Sequence, residues 1–185
     1  MITLIHHLSS SNPIIDKEDC FFIDSNILCY LHSGKQYPQQ EQMSIIEYSN
    51  FISKLMTQGN KLFVTSLNLQ EVFHVIEKIE YDDYCKKNNY INKKKYRQIA
   101  TERMNVKNKM TKAWLQIKNQ YEIVDDTITF QQIESFVLNL DTHFYEPIDY
   151  VTSERGIKDF NYITNDSDFT HDNKFLNKNV NLFTF

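Results

Sequence analysis

Five carboxylates in this chain stand where they could act together. Asp24 follows directly on the apolar run Cys20-Phe21-Phe22-Ile23. Glu71 lies a few residues beyond a second apolar run, Leu62-Phe63-Val64, and Asp149 stands just after Pro147. Asp166 and Asp168 close the stretch Phe160-Asn161-Tyr162-Ile163-Thr164-Asn165. Carboxylates gathered at one place raise each other's pKa unless a cation neutralises them. A set made only of oxygen donors suits a hard divalent ion, Mg²⁺ or Mn²⁺. Taken singly, each acid has a plainer use. Asp24 and Asp149 suit helix caps, Glu71 suits a solvated helix face, and Asp166 and Asp168 suit turns.

Other chemistries find little support. The glycines Gly34, Gly59 and Gly156 are far apart, so no Gly-rich loop can close on phosphate. Cys20, Cys29 and Cys85 form no CxxC pair and read as buried or idle thiols. The histidines lack zinc-protease spacing, and no GxSxG elbow is present. Glu71-x-x-His74 resembles half of a di-iron motif but has no second copy, which leaves His74 as a surface or core histidine.

The elements that must position the acids can be read from apolar patterning. Cys20–Asp24, Lys61–Thr65, Tyr121–Val124, Phe160–Thr164 and Val180–Phe185 read as strands. Between them, a helix opens near Ser25 with Ser25 or Asn26 as cap, and residues 34–42 form a polar loop around Pro38. Met43–Met56 has helical spacing and Gly59 as its C-cap. Ser66 starts a helix with Leu69, Val72, Phe73, Ile76 and Ile79 on one face, and 92–118 forms one long helix or a pair. Further helices are expected around Phe130–Asn139 and from Asp149. Alternating strands and helices imply a parallel α/β sheet of about five strands with helices on both faces. In such sheets ligands bind beyond the carboxyl ends of the strands, where the strand order reverses. All five acids fall near that edge, a coincidence that favours a shared site over five separate structural uses.

Here the sequence resembles a known family. Phe22-Ile23-Asp24-Ser25-Asn26, then Val64-Thr65-Ser66 with Glu71, then Asp149, then Ile163-Thr164-Asn165-Asp166-Ser167-Asp168-Phe169 look like the ordered motifs of the PIN-domain nucleases, which include VapC-type toxins. The likeness runs from about residue 20 to 185. It implies a three-layer α/β/α fold and one or two Mg²⁺ or Mn²⁺ ions. The catalytic set would be Asp24, Glu71, Asp149 and Asp166, with Asp168 a more peripheral metal ligand and Ser25, Asn26 and Thr164 in support. Asp149 is followed by Tyr150-Val151 where the family has small apolar residues; Asp141 is the competing acid, set aside for its long distance from Asp166. The implied activity is metal-dependent endoribonucleolytic hydrolysis of single-stranded RNA. The implied partners are an antitoxin protein and a second copy of the chain. The alternatives are a catalytically silent PIN-fold module that binds RNA or protein, and a structure-specific DNA nuclease.

Charge sharpens this expectation. The chain has 185 residues and a net charge of -4. From Lys86 to Lys118, however, eleven Lys and Arg face one acid, while the rest holds nine bases against twenty-three acids. A basic stretch on an acidic molecule suits a polyanion. Lys93, Lys94, Lys95, Arg97, Arg103 and Lys107 are the candidate contacts to RNA phosphates, with Tyr90, Tyr96 and Trp114 available to stack on bases. We read residues 1–19 as an N-terminal extension and 20–185 as a single domain with a basic helical insertion at about 86–120. With no apolar run long enough for a membrane span and no basic leader, the chain is expected in the cytoplasm.

Overall fold

The computed structural model describes residues 3–7, 13–125, 159–165 and 179–184. It is an α/β fold on a six-stranded, all-parallel sheet of order β1-β6-β5-β2-β3-β4. The strands are β1 (Thr3–His7), β2 (Cys20–Ile23), β3 (Lys61–Thr65), β4 (Glu122–Val124), β5 (Asp159–Ile163) and β6 (Asn179–Thr184). The five expected strands form. The sixth, β1, lies in the N-terminal extension and pairs with β6 at the sheet edge, Thr3 opposite Val180 and His7 opposite Thr184. Five residues with two histidines gave too short a pattern to announce it.

Five helices connect the described strands: α1 (Ser25–His32), α2 (Gln39–Gln58), α3 (Ser66–Lys87), α4 (Lys93–Tyr96) and α5 (Ala100–Gln120). Helix α2 starts four residues before the expected Met43, because Pro38 ends the loop at its N-cap position and the polar first turn lies at the surface. It stops where Gly59 takes φ 87° and its amide returns to the carbonyls of Leu55 and Met56. The basic segment divides into the short α4, capped by Asn92, and the long α5.

Successive strand residues point to opposite faces, so β2 sends Phe21 and Ile23 one way and Phe22 the other. On the first face Phe21, Ile23, Val64 and Ile163 pack with Ile27 and Leu28 of α1, Leu55 of α2, Val72 and Ile76 of α3, and Ala113 and Ile117 of α5. The second face collects Phe22, Val124, Phe160, Tyr162, Val180 and Leu182, all buried as well. Every described helix longer than one turn contributes to the first cluster; the segments expected as helices around Phe130–Asn139 and from Asp149 lie outside the described residues. No helix among the described residues is long and apolar enough to cross a membrane.

Strand order places the reversal that matters. From β2 the chain steps to β3 and β4 on one side, then returns to β5 and β6 on the other. The order therefore reverses between β2 and β5, and a parallel sheet opens a crevice at their carboxyl ends.

Candidate functional site

Asp24 and Thr164 are the first residues beyond β2 and β5, so they flank this crevice. The strands are locked there by the bond from the Asp24 amide to the Ile163 carbonyl, 3.0 Å. Thr164 donates its hydroxyl to Asp24 Oδ2 at 2.7 Å. The Ser25 amide donates to Asp24 Oδ1 at 2.7 Å, and the Ser25 hydroxyl reaches the same oxygen at 3.3 Å. Asp24 is thus the N-cap of α1, in place of the expected Ser25 or Asn26, because only Asp24 has the extended backbone that a cap requires.

A carboxylate accepts about four hydrogen bonds, and Asp24 receives them from Thr164, Tyr162 and the amide and hydroxyl of Ser25, with the Ser25 hydroxyl at the long distance of 3.3 Å. Burial raises the Asp24 pKa, opposed by the hydrogen bonds from Thr164, Tyr162 and the Ser25 amide and reinforced by the charge of Glu71. A buried acid held ionisable by donors and pressed by a second acid is the electrostatic situation that a divalent cation relieves.

Glu71 reaches the site from α3. Thr65, at the end of β3, caps that helix by a reciprocal pair with Asn68: the Asn68 amide donates to Thr65 Oγ1 and the Thr65 amide to Asn68 Oδ1. This fixes the exit angle of α3 and sets Glu71, in its second turn, on the exposed side of the helix. There Glu71 lines a cavity of about 490 Å³ with Ser25, Asn26, Cys29 and Tyr30 of α1, and His74 one turn further along α3. Lys35, Tyr37 and Glu41 close it from the connection to α2 and the first turn of α2. Burial pushes the Cys29 thiol up to about 11, and Glu71 and Asp24 add to the shift, so this cysteine stays a neutral wall residue.

The second support residue, Asn26, accepts from the Asn165 amide at 3.4 Å. Asn165 also donates to the Tyr30 hydroxyl at 3.0 Å, and Tyr48 donates to the Thr164 carbonyl at 3.0 Å and to Asn165 Oδ1 at 3.1 Å. Tyr48 itself is fully buried. The turn after β5 is therefore tied to α1 and α2 up to the residue that precedes Asp166.

The fold thus brings Asp24, Ser25, Asn26, Glu71 and Thr164 to one crevice. Asp149, Asp166 and Asp168 lie outside the described residues. Among the described residues no three His, Cys, Asp or Glu side chains gather closely enough to hold a metal by themselves.

The basic segment departs from expectation. Arg97 grips Glu77 of α3 with two bonds, 2.5 Å from Nε to Oε1 and 2.7 Å from the second guanidinium nitrogen to Oε2, and Lys93 pairs with the same carboxylate at 3.3 Å. Lys109 pairs with Glu80, which also accepts from Asn105. Lys93 and Arg97 therefore hold α4 against α3. Tyr96 is buried against Tyr81 and Tyr84 and offers no face to a base. Trp114 is half-buried against the core, while Tyr90 is exposed. Lys94, Lys95, Arg103 and Lys107 remain exposed without a salt bridge among the described residues. No described residue lining the cavity comes from 86–120.

Sequence reading missed the wall of the cavity. Residues 34–42 gave only a polar composition, and the i,i+4 spacing of Asn26 and Tyr30 and the i,i+3 spacing of Glu71 and His74 were the signals that each pair shares a helix face. Comparison with protein-family models, with curated proteins and with solved structures finds no match.

Proposed function

We propose that this chain is a PIN-like, three-layer α/β/α, metal-dependent endoribonuclease that hydrolyses single-stranded RNA. One observation carries the reading: a buried Asp24, bonded by Thr164 and Ser25 at the reversal point of a parallel sheet, feels the charge of Glu71, which lines a cavity together with Ser25. Asp24 and Glu71, with Asp149, Asp166 and Asp168 from the motif order, would hold one or two Mg²⁺ or Mn²⁺ ions. Such an ion, when bound, supplies a hydroxide nucleophile at neutral pH and screens the scissile phosphate. The chain's own residues do the rest. Thr164 and the Ser25 amide oppose the rise that burial imposes on the Asp24 pKa and aim its carboxylate, and Tyr48 and Asn26 hold the chain that leads to Asp166. The motif resemblance also supports a cytoplasmic toxin restrained by an antitoxin protein and acting as a dimer.

The test is a substrate panel of single-stranded RNA, single-stranded DNA and duplex DNA, incubated in Mg²⁺ or Mn²⁺ and in EDTA. The expected result is cleavage of single-stranded RNA only, abolished by EDTA. Cleavage of DNA alone would make the protein a DNA nuclease, and binding without cleavage a silent module.

A further inference from the structure

Two acids, Glu41 and Glu71, line the cavity, and Asp24 adjoins it through Ser25, yet the described wall carries a single permanent cation, Lys35. Lys35 is exposed, makes no ion pair among the described residues, and stands with Nζ 4.5 Å from the centroid of the Tyr37 ring. Tyr37 in turn meets Tyr30 edge-on, with ring centroids 4.8 Å apart at 79°. The wall is already fixed in place. Gly34 takes φ 72°, which turns the chain out of α1. The Ser33 hydroxyl donates to the Cys29 carbonyl at 2.6 Å and accepts from the Lys35 amide at 3.2 Å. Gln42 holds the Tyr37 carbonyl at 3.1 Å, and Asn165 holds the Tyr30 hydroxyl. Burial pushes the Tyr37 hydroxyl up to about 12, so the ring stays neutral.

A lysine ammonium beside aromatic rings is the arrangement that takes a backbone phosphate and stacks its base, and here it is the one permanent positive charge set against the carboxylates of the described wall. We propose that Lys35 and Tyr37 form a nucleotide subsite beside Glu71, in which Lys35 takes a phosphate and Tyr37, backed by Tyr30, stacks on a base of single-stranded RNA. This rests on the nuclease reading for the identity of the polymer. It moves the grip on the substrate from the lysines of α4 and α5 to the connection between α1 and α2. The cavity, about 490 Å³, lies within the range of roughly 300–1,000 Å³ typical of ligand pockets.

The test compares the wild type with Lys35→Ala, Lys35→Arg, Tyr37→Ala and Tyr37→Phe. Binding of a labelled single-stranded RNA is followed by fluorescence anisotropy in EDTA, and KM and kcat for cleavage are followed in Mn²⁺. Tyr37→Ala is expected to weaken binding by about 5- to 150-fold, the size of one base–aromatic stack; Lys35→Ala is expected to weaken it at least about 5-fold and to flatten its salt dependence, and both are expected to raise KM with little change in kcat. Lys35→Arg and Tyr37→Phe, which keep the charge and the ring, are expected to stay close to wild type. Should Tyr37→Ala fail to fold, the exposed Lys35 pair decides the matter alone. RNA binding that depends on Lys35 and Tyr37 in a protein that cuts nothing would uphold the subsite and sink the nuclease reading. Cleavage with unchanged binding and KM in both alanine variants would overturn the subsite and leave the nuclease standing. A wild type that binds no RNA in either buffer would overturn the subsite as well.

Discussion

At the scale of single residues, the molecule turns on how Asp24 is satisfied. Its Oδ2 receives the Thr164 hydroxyl across 140 positions of sequence, and its Oδ1 receives Ser25 from the next residue. Thr164→Val keeps the shape and removes the donor. It leaves a buried carboxylate oxygen short of a partner, which costs about 1–3 kcal/mol, measurable as a lower urea midpoint at unchanged slope. Asp24 also sets a pH dependence. Its pKa is raised in the fold above the ordinary value near 3.8, so the folded state holds the proton more tightly than the unfolded chain. Stability from this group is present at acid pH and falls as pH rises from about 4 through the raised pKa. In metal-free buffer, Asp24→Asn is expected to flatten that decline, while Mn²⁺ restores stability in the wild type only. A decline of equal steepness in both proteins would contradict this role for Asp24. The acid and its strand were legible in the apolar run that ends at Ile23; its donor was not, because nothing local links position 24 to position 164.

At the scale of elements, helices α3, α4 and α5 form a unit fastened by two buried acids. Glu77 is pulled down to about 2, first by the hydrogen bonds from Arg97, against burial, and then by Lys93. The sign is opposite to that of Asp24. This stability is present above the unfolded value near 4.5 and is lost as pH falls from about 5 towards 2. Acid titration of the thermal midpoint is expected to show this loss in the wild type, and Glu77→Gln to start lower and change less across the same window. Helix positions were largely legible: Gly59 marked the end of α2, Leu69, Val72 and Ile76 marked the inner face of α3, and the absence of glycine and proline marked α5. The partners of the basic residues were not legible. Charge along the chain counts lysines, but only the fold shows that Lys93 and Arg97 face Glu77, sixteen and twenty positions away.

At the scale of the whole molecule, the strand order sets the site. The sheet reverses between β2 and β5, and this alone brings residues 24 and 164 into contact. The alternation of strands and helices made a parallel sheet legible, whereas the edge strand β1 was hidden in five residues of weak pattern. The exposed cations Lys94, Lys95, Arg103 and Lys107 give the acidic chain a long-range attraction for a polyanion. Replacing all four by Gln is expected to weaken RNA binding at low salt. The slope of binding against salt should fall by up to about 0.7 for each phosphate no longer neutralised. Cleavage at saturating RNA would be retained, since none of the four lines the cavity. The nuclease assignment itself stands or falls on one comparison: cleavage of labelled single-stranded RNA in Mn²⁺ by the wild type and by Asp24→Asn, both shown folded by circular dichroism. The expected result is metal-dependent cutting by the wild type and a loss of at least about 100-fold in the variant, the scale on which removing one transition-state interaction acts. Equal rates in the two proteins, or no cutting by either, would contradict it.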